Sequence, residues 1–492
     1  MAAMSARAAP DASPRPPGAS ICESRGRRRE RLDPGAGRRH GQDMTEARET
    51  SPAALRRAIL AIAGPSMLTN VATALFGMAD TWVIGRLGDA TAQGAVEVGA
   101  KLLMALLVVF NFLRSGTVGL VAQAAGRGDE AAQAATLARA VAAALAVGVL
   151  LLLARTLVVP VGLEMLGARG DLATRAGQYV DIRYLGAVPW LLNAVLTGWL
   201  IARRHVRLVL AIEVGANLFH ILLDLTLVLG LGLGVAGVAF ATLTSETAKL
   251  AAIALAVSRD APARQALAAA RTRATWRAGE LIALFRLNRD LFLRTLLLMS
   301  ATILVTRFGA RQGATVLAAN AILFQMFSLG ALILDGFENA AQVLCGEALG
   351  AGDRRRFDRL VGHILAWAGG CAALIALAYG LGGARLAASF STDPAVVAAT
   401  GSYIGWAVAL PLARVASFIF DGVFIGSSWT RALMLTMAAA LAAFVAVLLA
   451  ARPLGNHGLW LAFTMFFVAR AAGQAWALPR LARRSFAAAG AG

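Results

Sequence analysis

Residues Leu208–Phe240, LVLAIEVGANLFHILLDLTLVLGLGLGVAGVAF, decide the fold class. The run is too long for one span and its glycines cluster near 230–235, so it reads as two apolar helices joined by a tight turn without positive charge. About 20 apolar residues cross roughly 30 Å of hydrocarbon as a helix. Val141–Ala154 and Ala432–Ala451 are runs of the same kind. Of the 492 residues, 58% are hydrophobic and 15% charged, with a mean hydropathy of +0.66. A soluble domain sits nearer 45–50% apolar and about 25% charged. Short alternating strands are absent, which argues against a transmembrane barrel. The chain reads as an all-α integral membrane protein.

On both sides of that run the apolar pattern continues and predicts twelve spans: 54–84, 94–124, 133–157, 175–202, 207–230, 235–257, 284–310, 316–346, 358–381, 395–425, 430–451 and 457–481. Positive charge resists translocation and collects in cytoplasmic loops. Arg203, Arg204 and Arg207, the 259–283 segment, Arg354–Arg356 with Arg359, and Arg480, Arg483 and Arg484 all then fall on one side. An even number of spans puts both termini there, in the cytoplasm. This distribution accounts for the net charge of +19 without nucleic acid. Residues 1–50 are rich in Arg, Pro, Gly and Ser and should be disordered. They hold no apolar stretch of signal-peptide length. Met44 is a candidate true start; a regulatory or lipid-touching basic tail is the alternative. Cys22, Cys345 and Cys371 suggest neither a metal site nor a disulfide framework.

A repeat crosses the chain. Shifted by 224 residues, Gly126-Arg-Gly-Asp129 lands on Gly350-Ala-Gly-Asp353, Tyr179 on Tyr403, Gly198 on Gly422 and Arg207 on Arg431. Shifted by 221, Gly234-Val-Ala-Gly237 lands on Gly455-Asn-His-Gly458. Six spans per half give both halves one orientation, the parallel-repeat plan of transporters with a site between the halves. The expected organisation is a tail (1–50), a first six-helix lobe (51–258), a cytoplasmic linker (259–283), a second six-helix lobe (284–484) and a short tail (485–492), with a central cavity between the lobes.

Acids inside spans are the chemical signal. Each costs about 2.5–3.5 kcal/mol at the bilayer centre and rarely survives without a partner or a function. Asp80, Asp224 and Glu246 fall within first-half spans; Asp335, Glu338 and Asp421 within second-half spans. Burial disfavours the ionised carboxylate, which makes such a group a reversible proton carrier. His220 and Asp224, four apart, share a helix face. They form either a joint proton site or a static hydrogen bond. Pro65 removes a backbone bond within the first span, as a hinge or a packing kink. More acids than bases are expected inside the spans, and 7% aromatic content suggests a cavity walled by aliphatic residues. Gly232-Leu-Gly234-Val-Ala-Gly237 follows a helix rather than a strand and is a turn, not a dinucleotide fingerprint. No nucleophile elbow, metal triad or phosphate loop suggests an enzyme.

Several segments together resemble the multidrug and toxic compound extrusion (MATE) family, in its DinF-like branch. In the first half they are Gly77-Met-Ala-Asp-Thr-Trp-Val-Ile-Gly85, Phe112-Leu-Arg-Ser-Gly-Thr-Val-Gly-Leu-Val-Ala-Gln123, Leu222-Leu-Asp224 and Gly237-Val-Ala-Phe-Ala-Thr242. In the second half they are Asn288-Arg-Asp-Leu-Phe-Leu-Arg294, Leu317-Ala-Ala-Asn-Ala321, Leu334-Asp-Gly-Phe337 and Phe420-Asp-Gly-Val-Phe-Ile-Gly426.

The resemblance implies a bacterial inner-membrane antiporter, expected to work as a monomer without a cofactor, that exports amphipathic, often cationic organic compounds by alternating access. Asp80 and Asp224 match its coupling acids and Thr242 a hydroxyl lining their pocket, while Asp335, Asp421, Asn320 and Gln123 are assigned to the substrate cavity. His220 stands where the family usually has Asn, which favours protons over sodium as the coupling ion because a protonated imidazole repels a cation. The alternative within the superfamily is a flippase for lipid-linked sugars or other lipids, which should carry a strongly cationic cavity.

Overall fold

A computed structural model describes residues 51–86 and 88–489, without the side chains of 75–81 and 489. Residues 1–50, including Met44, lie outside the description, as does the side chain of Asp80. Twelve spans follow in order. The first lobe holds α1 (Pro52–Gly85), α2 (Ala90–Gly126), α3 (Glu130–Met165), α4 (Gly170–Tyr184 and Ala187–Ala202), α5 (Val206–Gly230) and α6 (Gly234–Ser258). The second holds α7 (Ala278–Ala310), α8 (Ala314–Gly350), α9 (Arg354–Phe390), α10 (Pro394–Gly426), α11 (Thr430–Ala450) and α12 (Asn456–Ala489). Among the described residues ten helices are long and apolar enough to cross a membrane, and the α4 pair, bent by 47°, makes an eleventh. With α1 the count reaches twelve. Leu153, Leu157 and Leu381 are exposed on outer faces, as lipid-facing positions should be.

Two details differ from the expected boundaries. Residues 259–283 are structured: short helices Ala261–Arg264 and Ala266–Arg271 follow α6, and α7 starts at Ala278. Asp260 anchors this segment by accepting from Trp199 Nε1 and Arg203 Nε, each at 3.0 Å. At the other end, α12 continues to Ala489.

The repeat is visible in the backbone. Arg204 (φ 62°) and Ser428 (φ 57°), both left-handed although not glycine, are 224 residues apart, as are Gly128 (φ 69°) and Gly352 (φ 72°). Asp129 and Asp353 cap α3 and α9 in the same way, each accepting at 2.8 Å from the backbone N–H three residues on. Such caps supply partners for the orphan amides of a helix start.

The lobes meet where the arginine-rich loops lie. A methyl on Gly126 would strike the Glu347 carbonyl, and one on Gly350 the Gln123 carbonyl. These two close approaches exchange under the 224-residue shift, so they are one contact made twice around a pseudo-two-fold axis. Gln123 Nε2 donates to the Gly426 carbonyl (2.7 Å) and to Ser428 Oγ (2.8 Å). The mates of Gln123 and Ser428 are Glu347 and Arg204, and these form an ion pair across the same junction. Farther along the spans, Asn70 Nδ2 donates to the Leu332 carbonyl at 3.1 Å.

Candidate functional site

Between the lobes lie two cavities of about 350 and 360 Å³, and Asn70, Asn111, Arg114 and Asn339 line both. They form one central space with a first-lobe and a second-lobe arm. The first arm is polar, reaching Ser66, Thr69 and Thr73 on α1, Asn193 on α4, Glu213 on α5 and Glu246 with Lys249 on α6. The second arm carries Phe324, Phe327, Phe418, Phe463 and Phe467 beside Arg294, Asp335, Glu338 and Arg470.

Asp224, His220 and Thr242 come together inside the first lobe. Asp224 is fully buried, with Oδ2 3.6 Å from His220 Nε2. His220 Nε2 also lies 3.1 Å from Thr242 Oγ1. The Thr242 hydroxyl also lies 3.0 Å from the Val238 carbonyl, so its one proton is shared between that carbonyl and the ring contact, and the tautomer of His220 sets which of the two it serves. Directly after Asp224 the α-helix gives way to a π-helical stretch, Leu225–Gly230. Such widened turns shift side chains out of register and concentrate at functional sites. The helix α1, which carries Asp80, is continuous through Pro65, and Thr69 Oγ1 donates back to the Pro65 carbonyl at 2.9 Å.

The four residues assigned to the substrate cavity separate. Asp335 lines the second arm. Asp421 does not face it: it is fully buried and clamped by Arg294 and Arg470, with Gln474 Nε2 donating at 2.7 Å. A carboxylate beside two guanidinium groups on neighbouring helices is drawn to them rather than left for a ligand. Asn320 is buried in a reciprocal amide pair with Asn456 (2.9 Å each way) and accepts from Trp460 Nε1 at 2.8 Å. Gln123 belongs to the lobe junction, where the α10 carboxyl end offers it acceptors.

The wall of the second arm is aromatic rather than aliphatic, because the few phenylalanines cluster there. The Phe463 and Phe467 rings sit 5.1 Å apart, and both approach Phe327. Acids and bases balance along the described cavity lining. The described lining of the two arms holds Arg114, Lys249, Arg294 and Arg470 against Glu213, Glu246, Asp335 and Glu338. The signal for these bases was present in sequence: Arg294 and Arg470 stand in apolar surroundings, where an intramembrane base calls for explanation as much as an acid does.

A family model, MatE, matches residues 65–226 and again 291–451, once per lobe. The chain belongs to the MatE family. It is 34% identical over 414 residues to the DNA damage-inducible protein F of Escherichia coli (strain K12), covering 84% of this chain and 90% of that protein. Protein DETOXIFICATION 45, chloroplastic, of Arabidopsis thaliana is 26% identical over 176 residues, 35% of this chain and 31% of its own. The fold matches a crystal structure of MATE in the bent conformation (TM-score 0.78, 20% identity, 88% of this chain and 97% of that one). It also matches a MOP superfamily transporter from Pyrococcus furiosus, described as having a binding pocket of reverse polarity that suggests a different function (TM-score 0.76, 20% identity, 87% and 96%). The MatE membership makes the chain a multi-pass membrane transporter and not an enzyme.

Proposed function

We propose that this MatE transporter exports amphipathic, often cationic organic compounds across the bacterial inner membrane in exchange for protons, by alternating access of the central cavity. The observation that carries this reading is Asp224, fully buried beside His220 and Thr242 at the start of a π-helical stretch. A carboxyl group in such a place resists permanent charge, so taking and losing a proton is its accessible chemistry. With the arginine-rich loops in the cytoplasm, the lobe junction closes the inner end and the site loads from outside. Protonation at Asp224 removes buried charge and, together with protonation of Asp80 on α1, favours repacking around that helix, where Pro65 sits. A state with different affinity for substrate then becomes the populated one. Each elementary charge moved inward at 100 mV supplies about 2.3 kcal/mol to this cycle.

The test is ethidium efflux from cells carrying the intact protein, Asp80→Asn or Asp224→Asn, with and without sodium and with a protonophore. Efflux that persists without sodium, collapses with the protonophore and falls at least about tenfold in either variant, a barrier raised by about 1.4 kcal/mol, fits a proton-driven cycle through these acids. Normal pumping by both variants makes the acids structural and defeats the mechanism.

A flippase for lipid-linked sugars or other lipids is the second reading, favoured by Arg114, Arg294 and Arg470 beside the cavity. Two of the three are already engaged by Asp421, which leaves Arg114 as the base with no carboxylate within ion-pair distance among the described residues. Transbilayer movement of a polyprenyl pyrophosphate in liposomes, without ethidium transport, would favour it.

A further inference from the structure

The first-lobe arm contains a charged cluster that the proton route does not use. Lys249 Nζ lies 3.2 Å from Glu213 Oε1 and 3.5 Å from Glu246 Oε1. Asn193 Nδ2 donates to Glu246 Oε2 at 2.9 Å and to the Glu246 carbonyl at 3.0 Å, which fixes its amide. The opposite atom, Asn193 Oδ1, is buried without a hydrogen-bond partner, in a residue 3% exposed. Trp190, nearly one turn earlier on α4, lines the same wall. Glu213 precedes Asp224 by eleven residues, about 16 Å along the helix, so this cluster and the His220–Asp224 pair are separate places.

Two carboxylates, an unused amide oxygen and an indole are the parts of a cation-binding site. The cluster carries one more negative charge than positive, and its cation is the ammonium of the chain itself. A lysine ammonium is a point charge on a flexible four-carbon stem, able to withdraw where a planar guanidinium locked by paired bonds is not.

We propose that Glu213, Glu246, Asn193 and Trp190 form a subsite for the cationic head of an organic substrate, and that Lys249 is a tethered counter-ion which the substrate displaces. The proposal rests on the reading that organic cations are exported, and it names where the charge binds. The counter-ion keeps the two carboxylates paired between substrates. It also weakens binding: a site open for only a fraction of the time shows an apparent Kd raised by the inverse of that fraction.

The test is equilibrium binding of tetraphenylphosphonium to purified full-length protein in nanodiscs, with neutral triphenylphosphine oxide as control. Lys249→Met is expected to bind the cation at least about fivefold tighter, with the control unchanged. Lys249→Arg should not tighten it. Unchanged or weaker cation binding by a monodisperse Lys249→Met protein overturns the proposal, as does equal tightening of the control. Should that variant fail to fold, the neutral combination Glu213→Gln, Glu246→Gln and Lys249→Met decides: about tenfold weaker cation binding than the parent supports the subsite, and parental binding removes it. No ion gradient enters the measurement, so loss of proton-driven efflux and loss of this subsite are independent results.

Discussion

Both lobes place a base at the same point of their sixth helix: Lys249 and Arg470 each lie fifteen residues beyond a matching glycine, Gly234 and Gly455. Their surroundings differ. Lys249 and Glu213 each keep 14% of their side-chain surface open, and Glu246 keeps 25%. Arg470 and Asp421 keep 2% and none, and Arg294 and Gln474 close the remaining sides of the carboxylate. One backbone repeat therefore supports two duties. In the second lobe the ion network holds helices α7, α10 and α12 together. In the first lobe the network is looser and more open to the cavity, as an exchangeable counter-ion requires.

The sharpest way to break this contrast is to remove the acid of the tight network. Asp421→Asn strands Arg294 and Arg470 beside each other, and breaking a buried ion pair by deleting one partner costs about 3–5 kcal/mol. A large fall in melting temperature in detergent and a low yield are expected. Lys249→Met should cost distinctly less, because its neighbours keep access to cavity water. Equal losses in the two variants would mean that both networks are structural.

How much of this was legible beforehand follows the physics of each signal. Helix positions came from apolar runs, since a membrane span must satisfy its backbone internally and cannot be short or irregular at the lipid face. The repeat emerged from glycines such as Gly126 and Gly350, because close backbone approach admits no other residue there. That His220 and Asp224 share a face was readable from helical spacing, and their proximity to Thr242 from the family pattern. The fate of Asp421 was not, because the arginines that clamp it come from α7 and α12, 127 and 49 residues away. Asn320 was lost in the same way to Asn456 and Trp460. Composition averaged away the aromatic wall, since a low overall share says nothing about where five phenylalanines converge.

The two-fold junction offers a smaller test. Gly126→Leu pushes a side chain into the Glu347 carbonyl, and overpacking of this kind costs about 1–3 kcal/mol. The strain acts only when the lobes are closed at this end, so it should shift the population toward states open there. Labelling of a reporter Ser428→Cys by a membrane-impermeant maleimide, applied to the face bearing the arginine-rich loops, should rise. Gly350→Leu, its repeat mate, should have a similar effect, and a response to only one of the two would show that the junction is not symmetric in energy.

The smallest effect concerns the polar half of that junction, where the repeat pairs an amide with an acid. Gln123→Ala removes two hydrogen bonds, to the Gly426 carbonyl and to Ser428 Oγ, and a net hydrogen bond contributes about 0.5–1.5 kcal/mol. Glu347→Ala removes the carboxylate that meets Arg204 and lies 3.8 Å from Arg356, so that less negative charge offsets the repulsion between these two bases near the loop end. Water reaches Arg204, whose side chain is 42% exposed, and screens much of that repulsion. The two substitutions should therefore lower the melting temperature by similar small amounts at moderate salt. Dropping the ionic strength separates them, because only the Glu347 variant leaves charge behind. If Gln123→Ala proves the more salt-sensitive, the junction is held by something other than the contacts that the repeat supplies.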